Sequence, residues 1–581
     1  MKSNFAAAFL SILLVVIYPV VDGIQTDGSR DMASFIPENA LMYLEQHHGS
    51  QALREFTGSL LGQKIKNIDF LDTGKKIELP GTMLLALEES LGFVSSINDN
   101  RLIREILGEK FAVAILSPVD SHTDINLGDY IKKNTVVVAQ PVHGADEIEF
   151  LTDSFERYNQ THPLTVAQYG NHHIKRIRMF GETVSVVNIE GYLLMSLNEV
   201  QLRRCIDTFD AEFPALLQNK DYAKVKSHYS MSDRFFYLPV HTLRKFITES
   251  VADLTFIGKD LLLKELATTA GFVNFGYGSW NNKASVVDKV MVQYDSQKVN
   301  NIVKNHMGTA AAHSRMLSLT TENPMVFYWS NTVKVKDLLR YIIKSRDHEP
   351  RMENFLKTVQ TVTGKDTEQI FATLGEELSM VVEPAPQDEF FPFPLGMFFL
   401  KVKNVPELKA ILEKIIDEYG IQISVKSYGS IRYSYWTLSP QDGLQPLYGF
   451  WNDLIFFGNS SNLLKRIIAK RAENFSLLDN VKIKSIDPGF TEKNNSLTYM
   501  NNVSFIKVLQ QWSELVGMAI AIGDREKTFK VRTVLSDVIN PLLDGVSMYD
   551  KSCTRSYITP EMVIIDSITS KKKAPMKRRV N

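Results

Sequence analysis

The sequence predicts an α+β protein built from two tandem homologous copies of a mixed or antiparallel sheet unit with amphipathic helices. Three observations carry that expectation. One ordered series of short motifs occurs twice. Apolar runs of strand length alternate irregularly with helix-type stripes. Meanders such as Thr183 to Ser196 are too tightly spaced for βαβ crossovers, which favours such sheets with helices on one face.

The series begins with Glu38-Asn39-Ala40-Leu41-Met42-Tyr43, which returns as Glu322-Asn323-Pro324-Met325-Val326-Phe327. Leu107-Gly108-Glu109-Lys110 leads into an apolar strand, as Leu374-Gly375-Glu376-Glu377 does later. The strand Val136 to Val138 matches Met397 to Leu400, and each precedes an amphipathic helix. In the second copy Leu408, Ile411, Leu412, Ile415, Ile416 and Tyr419 hold the i, i+3, i+4, i+7 stripe, with Gly420 placed as a C-terminal cap. Ile148, Leu151, Phe155 and Tyr158 carry the stripe in the first. Tyr192 to Ser196 parallels Leu454 to Gly458, and Leu216-Leu217-Gln218-Asn219 returns as Leu477-Leu478-Asp479-Asn480. Phe236-Tyr237-Leu238 matches Thr498-Tyr499-Met500, and Ala270-Gly271-Phe272-Val273 matches Asp544-Gly545-Val546-Ser547. The order never changes, which single chance matches would not produce.

Residues 1–23 stand apart and read as a secretory signal peptide. Lys2 supplies the positive start, Ala6 to Ile17 is apolar apart from Ser11, and Val21-Asp22-Gly23 forms a cleavage site before Ile24. An uncleaved membrane anchor is the alternative, although an apolar stretch of about 16 residues is short against the roughly 20 that span a bilayer. The expected organisation is therefore 1–23 signal, 36–310 first repeat domain, 311–320 linker, 321–570 second repeat domain and 571–581 basic tail.

Within 581 residues, 65 Lys+Arg balance 66 Asp+Glu, which argues against a nucleic-acid protein held by a general basic field. Two cysteines make neither a disulfide framework nor a cysteine-rich zinc site.

The layout resembles the DUF3352 family, exported bacterial proteins of unassigned function. The shared marks are Pro37 to Tyr43, the Leu-Gly-Glu step at Leu107 and Leu374, and the strand exit Val402-Lys403-Asn404. The first copy departs at that exit, with Val142-His143-Gly144. The resemblance implies no catalytic residues to transfer.

Each chemical candidate has a structural reading beside it. His47-His48 and His172-His173 are adjacent pairs whose side chains would point to opposite faces of a strand, so neither is expected to ligate a metal. Ser504 and Lys507 fit the Ser-x-x-Lys pattern of penicillin-recognising enzymes. Neither Lys-Thr-Gly nor Ser-Asp-Asn completes it, and Thr242 at the matching point suits a hydroxyl N-cap. Thr363-Gly364-Lys365-Asp366-Thr367 resembles the tail of a phosphate loop, but Val359 stands where the first Gly belongs. Gly276-Tyr277-Gly278 reads as a turn or bulge rather than a dinucleotide fingerprint. Cys205 aligns with Ile467 and is expected in the core; Cys553 aligns near Ser279, in a turn.

Phe390-Phe391-Pro392-Phe393-Pro394 is read as a loop packed on the core or an exposed patch for a lipid or partner. Lys571 to Arg579 forms a basic tail that could touch an anionic membrane surface. Asn159, Asn459, Asn474 and Asn502 head glycosylation sequons. No residue is assigned a catalytic, cofactor-binding or metal-binding role, and no cofactor is expected. The leading expectation is an exported, periplasmic or extracellular, non-enzymatic protein that binds or chaperones an envelope component, whether lipid, glycan or protein. A secreted hydrolase with a dispersed site and a structural assembly component are the alternatives.

Overall fold

A computed structural model describes residues 30–88, 91, 108–118, 127–141, 165–179, 182–230, 232–250, 259–282, 284–345, 350–385, 393–436, 445–521 and 525–572. The signal segment, the Ile148 to Tyr158 stripe, Val142 to Gly144, Asn159, Phe390 to Pro392 and the tail after Lys572 lie outside the described residues. The fold is α+β, in two compact units: Met1–Asn300 with Gly517–Met548, and Asn301–Val516 with Tyr549–Asn581.

The first unit holds β1 (Met42–His47), β2 (Lys110–Ile115), β3 (Thr135–Gln140), β4 (Thr165–Tyr169) and β5 (His172–Met179). It continues with β6 (Glu182–Ile189), β7 (Tyr192–Ser196), β8 (Arg234–Leu238), β9 (Phe272–Asn281) and β10 (Ser285–Tyr294). They pair in the order β4-β5-β6-β7-β3-β2-β1-β8-β9-β10, antiparallel throughout.

The second unit holds β11 (Val326–Ser330), β12 (Leu374–Glu383), β13 (Leu395–Val402), β14 (Ser424–Tyr428) and β15 (Ile431–Tyr435). Its remaining strands are β16 (Leu447–Trp451), β17 (Leu454–Gly458), β18 (Ser496–Asn501), β19 (Tyr549–Ile558) and β20 (Met562–Lys571). Their order is β14-β15-β16-β17-β13-β12-β11-β18-β19-β20, again antiparallel. This is the first order shifted by ten strands. Register agrees as well: Tyr43 faces Ala114 and Tyr237, while Phe327 faces Val381 and Tyr499.

One motif pairing differs. Gly271 is a turn residue with φ +95° that opens β9, whereas Gly545 lies inside the helix Asn540–Val546. The strand register sets Tyr237 against Gly276 and Tyr499 against Cys553, so the true offset at this end is three residues longer. Cys553 is consequently a buried strand residue, not a turn residue.

The helices recur with their caps. Asn198 caps Glu199–Phe209 and Ser460 caps Ser461–Ala472, each side chain accepting from a first-turn amide. Asn219 and Asn480 each accept two backbone N–H groups at the start of Lys220–Lys226 and Val481–Ile486.

Helices cover both faces of each sheet, in place of the single face expected. In the second unit Phe327, Trp329 and Phe399 pack with Leu463, Ile467 and Ile483, while Leu378, Leu400 and Val402 pack with Val335 and Leu408. In the first, Tyr43 meets Tyr222 edge-on, and Leu41, Ile115 and Tyr130 form a cluster of their own with Phe246 against it. The cause is visible in β2, Lys-Phe-Ala-Val-Ala-Ile, which is buried at every position.

Two segments lie otherwise than the sequence boundaries place them. Residues 311–320, expected as a linker, set Met316, Leu317 and Leu319 in the second core through the 3-10 turn Arg315–Ser318. Residues 517–548 belong to the first unit. Lys64 pairs with Asp544 at 3.0 Å, Lys530 with Glu78 at 2.7 Å and Lys76 with Asp537 at 3.3 Å. Gly545 lies so close to Leu61 that a Cβ would stand 2.8 Å from its Cα. Just before it, Leu535–Ile539 is π-helical and precedes Pro541, whose missing N–H cannot continue the α register.

Candidate functional site

Two clusters of charge stand out, one in each unit. In the first, Glu45 on β1 is 1% exposed and receives four donors. His47 Nε2 lies 2.6 Å and Lys110 Nζ 3.0 Å from Oε1; Lys226 Nζ lies 2.8 Å and the Tyr43 hydroxyl 3.0 Å from Oε2. Strand alternation brings Tyr43, Glu45 and His47 to one face, and the helix Lys220–Lys226 places Lys226 over it. Burial pushes the Glu45 carboxyl up, but Lys226, the His47 hydrogen bond and Lys110 outweigh it and hold the group well below the usual carboxylate range. The Lys226 ammonium also sits 4.3 Å from the Phe235 ring centre. Every lone-pair direction of the carboxylate is occupied, which makes this nest a fixed ion cluster.

In the second unit the equivalent rung carries Trp329, whose indole N–H donates to Glu377 Oε1 at 3.0 Å. Around Glu377 opens a recess of about 90 Å³ lined by Arg315, Glu377, Trp451, Asn452, Asp453 and Arg471, with Met316, Leu319 and Leu454 as its apolar side. The tight hairpin between β16 and β17 presents Trp451, Asn452 and Asp453, with Asn452 in the left-handed conformation at φ +54°. Arg315 reaches Asp453 at 3.1 Å and Glu377 at 3.6 Å. Arg471, in the last turn of Ser461–Ala472, lies 5.0 Å from the Trp451 ring centre. Among the described residues its guanidinium has no hydrogen-bond or ion-pair partner.

None of these lining residues is a functional candidate in the sequence, where Glu377 and Leu454 figure only as repeat motifs. Positions 315, 377, 451–453 and 471 are distant along the chain. The available signal was the repeat itself: where the second unit has Trp451, Asp453 and Arg471, the first has Ile189, Gly191 and Phe209. There Arg30 lies 4.8 Å over the Phe209 ring and pairs with Glu190 at 2.8 Å, so the corresponding guanidinium is satisfied internally.

The sequence candidates are dispersed. Ser504 is not a cap: Asn501 Oδ1 accepts the Ser504 N–H at 3.2 Å, so Asn501 caps Asn502–Ala521 and Ser504 sits in the first turn. No hydrogen bond joins Ser504 to Lys507 among the described residues. Gly364, at φ +69°, ends the helix Pro350–Thr363, and Asp366 opens the next with a Gln369 capping box, so the phosphate-loop look-alike is a helix-to-helix turn. Lys365 pairs with Glu407.

Gly276 and Gly278 lie inside β9, not in a turn. A Cβ on Gly278 would come 2.2 Å from Tyr229 Cδ1, so the glycines leave room for that ring. Both thiols are fully buried, and burial pushes each up to about 12. His172 pairs with Asp210 at 3.2 Å, and His47 belongs to the Glu45 nest. Among the described residues no group of three or more His, Cys, Asp or Glu is placed to hold a metal. Phe393 packs edge-on against Trp512. Asn459 donates its amide N–H to Pro394 O and accepts the Gly396 N–H at Oδ1, and Asn502 donates to Ser552, whereas Asn474 is exposed.

No family model matches the chain, and no curated protein matches its sequence. Two solved structures, crystal forms III and IV of TP0453, are similar at 8% identity and a TM-score of 0.24. These matches cover 47% and 46% of this chain and 83% and 81% of theirs. A likeness that slight carries no argument.

Proposed function

We propose that the protein is an exported, non-enzymatic binding protein that holds an envelope component in the recess of its second unit. One observation carries this reading: Arg471 rests on Trp451 at the exposed rim of a recess whose other guanidinium is already paired within the protein. A guanidinium presents five donors in a rigid fork, so an unpaired one beside an aromatic ring is preorganised for an acceptor from outside. The absence of catalysis is supported by how the reactive groups are used: the thiols are core residues, Glu45 is saturated with donors, and Ser504 stands in a helix turn. Export is supported by the layout of residues 1–23. Among the described residues no helix is long and apolar enough to cross a membrane.

The test is a melting curve of the purified protein with and without an envelope extract, paired with native mass spectrometry. A bound component raises the melting temperature of the wild type and not of Arg471→Gln. No rise in the wild type, with no co-purifying mass, would contradict the reading.

A further inference from the structure

The recess is half-open to solvent, so it takes the end of a ligand rather than enclosing a whole one. Its charges restrict the ligand further. Arg471 offers a planar fork that matches a carboxylate bidentately. Asp453 and Glu377 line the same recess and would repel a doubly charged phosphate, but they are acceptors for hydroxyl groups. The part of the Trp451 ring that Arg471 leaves uncovered adds an apolar edge to the recess. A ligand answering to all three has a single carboxylate, neighbouring hydroxyls and a C–H group.

On the strength of the binding reading above, we infer that the recess formed by Arg471, Trp451, Asp453, Glu377 and Arg315 binds a uronic acid, the acidic sugar unit of an anionic glycan. Arg471 donates to the carboxylate, Asp453 and Glu377 accept hydrogen bonds from hydroxyl groups, and the uncovered edge of Trp451 meets a C–H group of the sugar. Arg315, held by Asp453 and Glu377 at 3.1 and 3.6 Å, keeps those two carboxylates in place. The first unit does not share the site, because Phe209 stands at the position of Arg471 and is covered by Arg30.

The experiment is titration calorimetry of the full chain with an oligogalacturonate, a neutral galactan oligomer of equal length and inorganic phosphate. The variants are Arg471→Gln and, as a control for general charge attraction, Arg432→Gln on the neighbouring strand. Melting curves without ligand establish that both variants fold. The oligogalacturonate is expected to bind the wild type and Arg432→Gln alike, and Arg471→Gln about tenfold or more weakly. Equal binding of the neutral oligomer or phosphate, or equal binding by Arg471→Gln, overturns the uronic-acid assignment. If the oligogalacturonate does not bind but the envelope extract still raises the melting temperature through Arg471, the assignment falls and the binding reading stands. If neither has any effect, both fall.

Discussion

Glu45 and Trp329 occupy the same rung of the same strand order, and the two units fill that rung in opposite ways. In the first, a buried carboxylate gathers Lys110, Lys226, His47 and Tyr43. In the second, an indole fills the space and the charge has moved one strand over, to Glu377 at the position of Lys110. The comparison separates what the fold requires from what it leaves free. Strand order, register and helix caps recur; polar chemistry does not. At this rung the first unit closes its charges around Glu45, while the second leaves Arg471 at the edge of a recess.

The largest expected effect comes from breaking the nest. Glu45→Ala would leave two ammonium groups buried beside each other, and should cost about 3–5 kcal/mol in urea unfolding. Glu377→Gln, in a partly open recess, should cost clearly less in the same measurement. The pH dependence follows from the sign. The folded-state pKa of Glu45 is depressed, so its stabilisation is complete above the unfolded carboxylate pKa and is lost as pH falls through the lower folded value. The gap between wild type and Glu45→Ala should therefore hold at neutral pH and narrow below about pH 4. A gap that stays constant on acidification would show that the nest is not held by this carboxylate's charge.

The units also exchange small for large. Gly278 yields to Tyr229 in the first, whereas in the second Arg555 stands at the position of Gly278 and Gly489 yields to its guanidinium. Gly278→Ala should cost about 1–3 kcal/mol by overpacking a fixed ring. Gly489→Ala should cost less, because the tip of an arginine can move aside; equal losses would count against this account. The smallest effect concerns a cap. Asn501→Ala should lose about 1 kcal/mol, and Pro239→Ala at the equivalent point of the first unit should lose less, since proline has no side-chain acceptor to remove.

The repeat was legible because it is written in strand-forming and capping residues, such as Leu216-Leu217-Gln218-Asn219 and its counterpart, whose roles are local. It slipped where locality fails. Gly545 resembles Gly271 in sequence, yet it belongs to a helix packed on Leu61, and an amphipathic stripe states that a face is buried without stating against what. Ser504 looked like a cap because hydroxyls often are; Asn501, three residues earlier, holds the position. Gly276 and Gly278 read as a turn because the ring they accommodate lies some 50 residues away at Tyr229. The recess was invisible for the same reason, being assembled from a hairpin tip, a helix end, a strand and a 3-10 turn. Only the substitution of Arg471 for Phe209 and Trp451 for Ile189 across the two copies marked it.

The central claim is that the second unit's recess is a ligand site and that the first unit has no counterpart. The chain has five tryptophans: Trp280 in the first unit and Trp329, Trp436, Trp451 and Trp512 in the second. Fluorine NMR of the fluorotryptophan-labelled protein, titrated with oligogalacturonate and then with envelope extract, reads all five at once. The account predicts that the Trp451 resonance shifts and that Trp280 does not, with the shift abolished in Arg471→Gln. A Trp451 resonance unmoved by either titrant, or movement confined to Trp280, would contradict it.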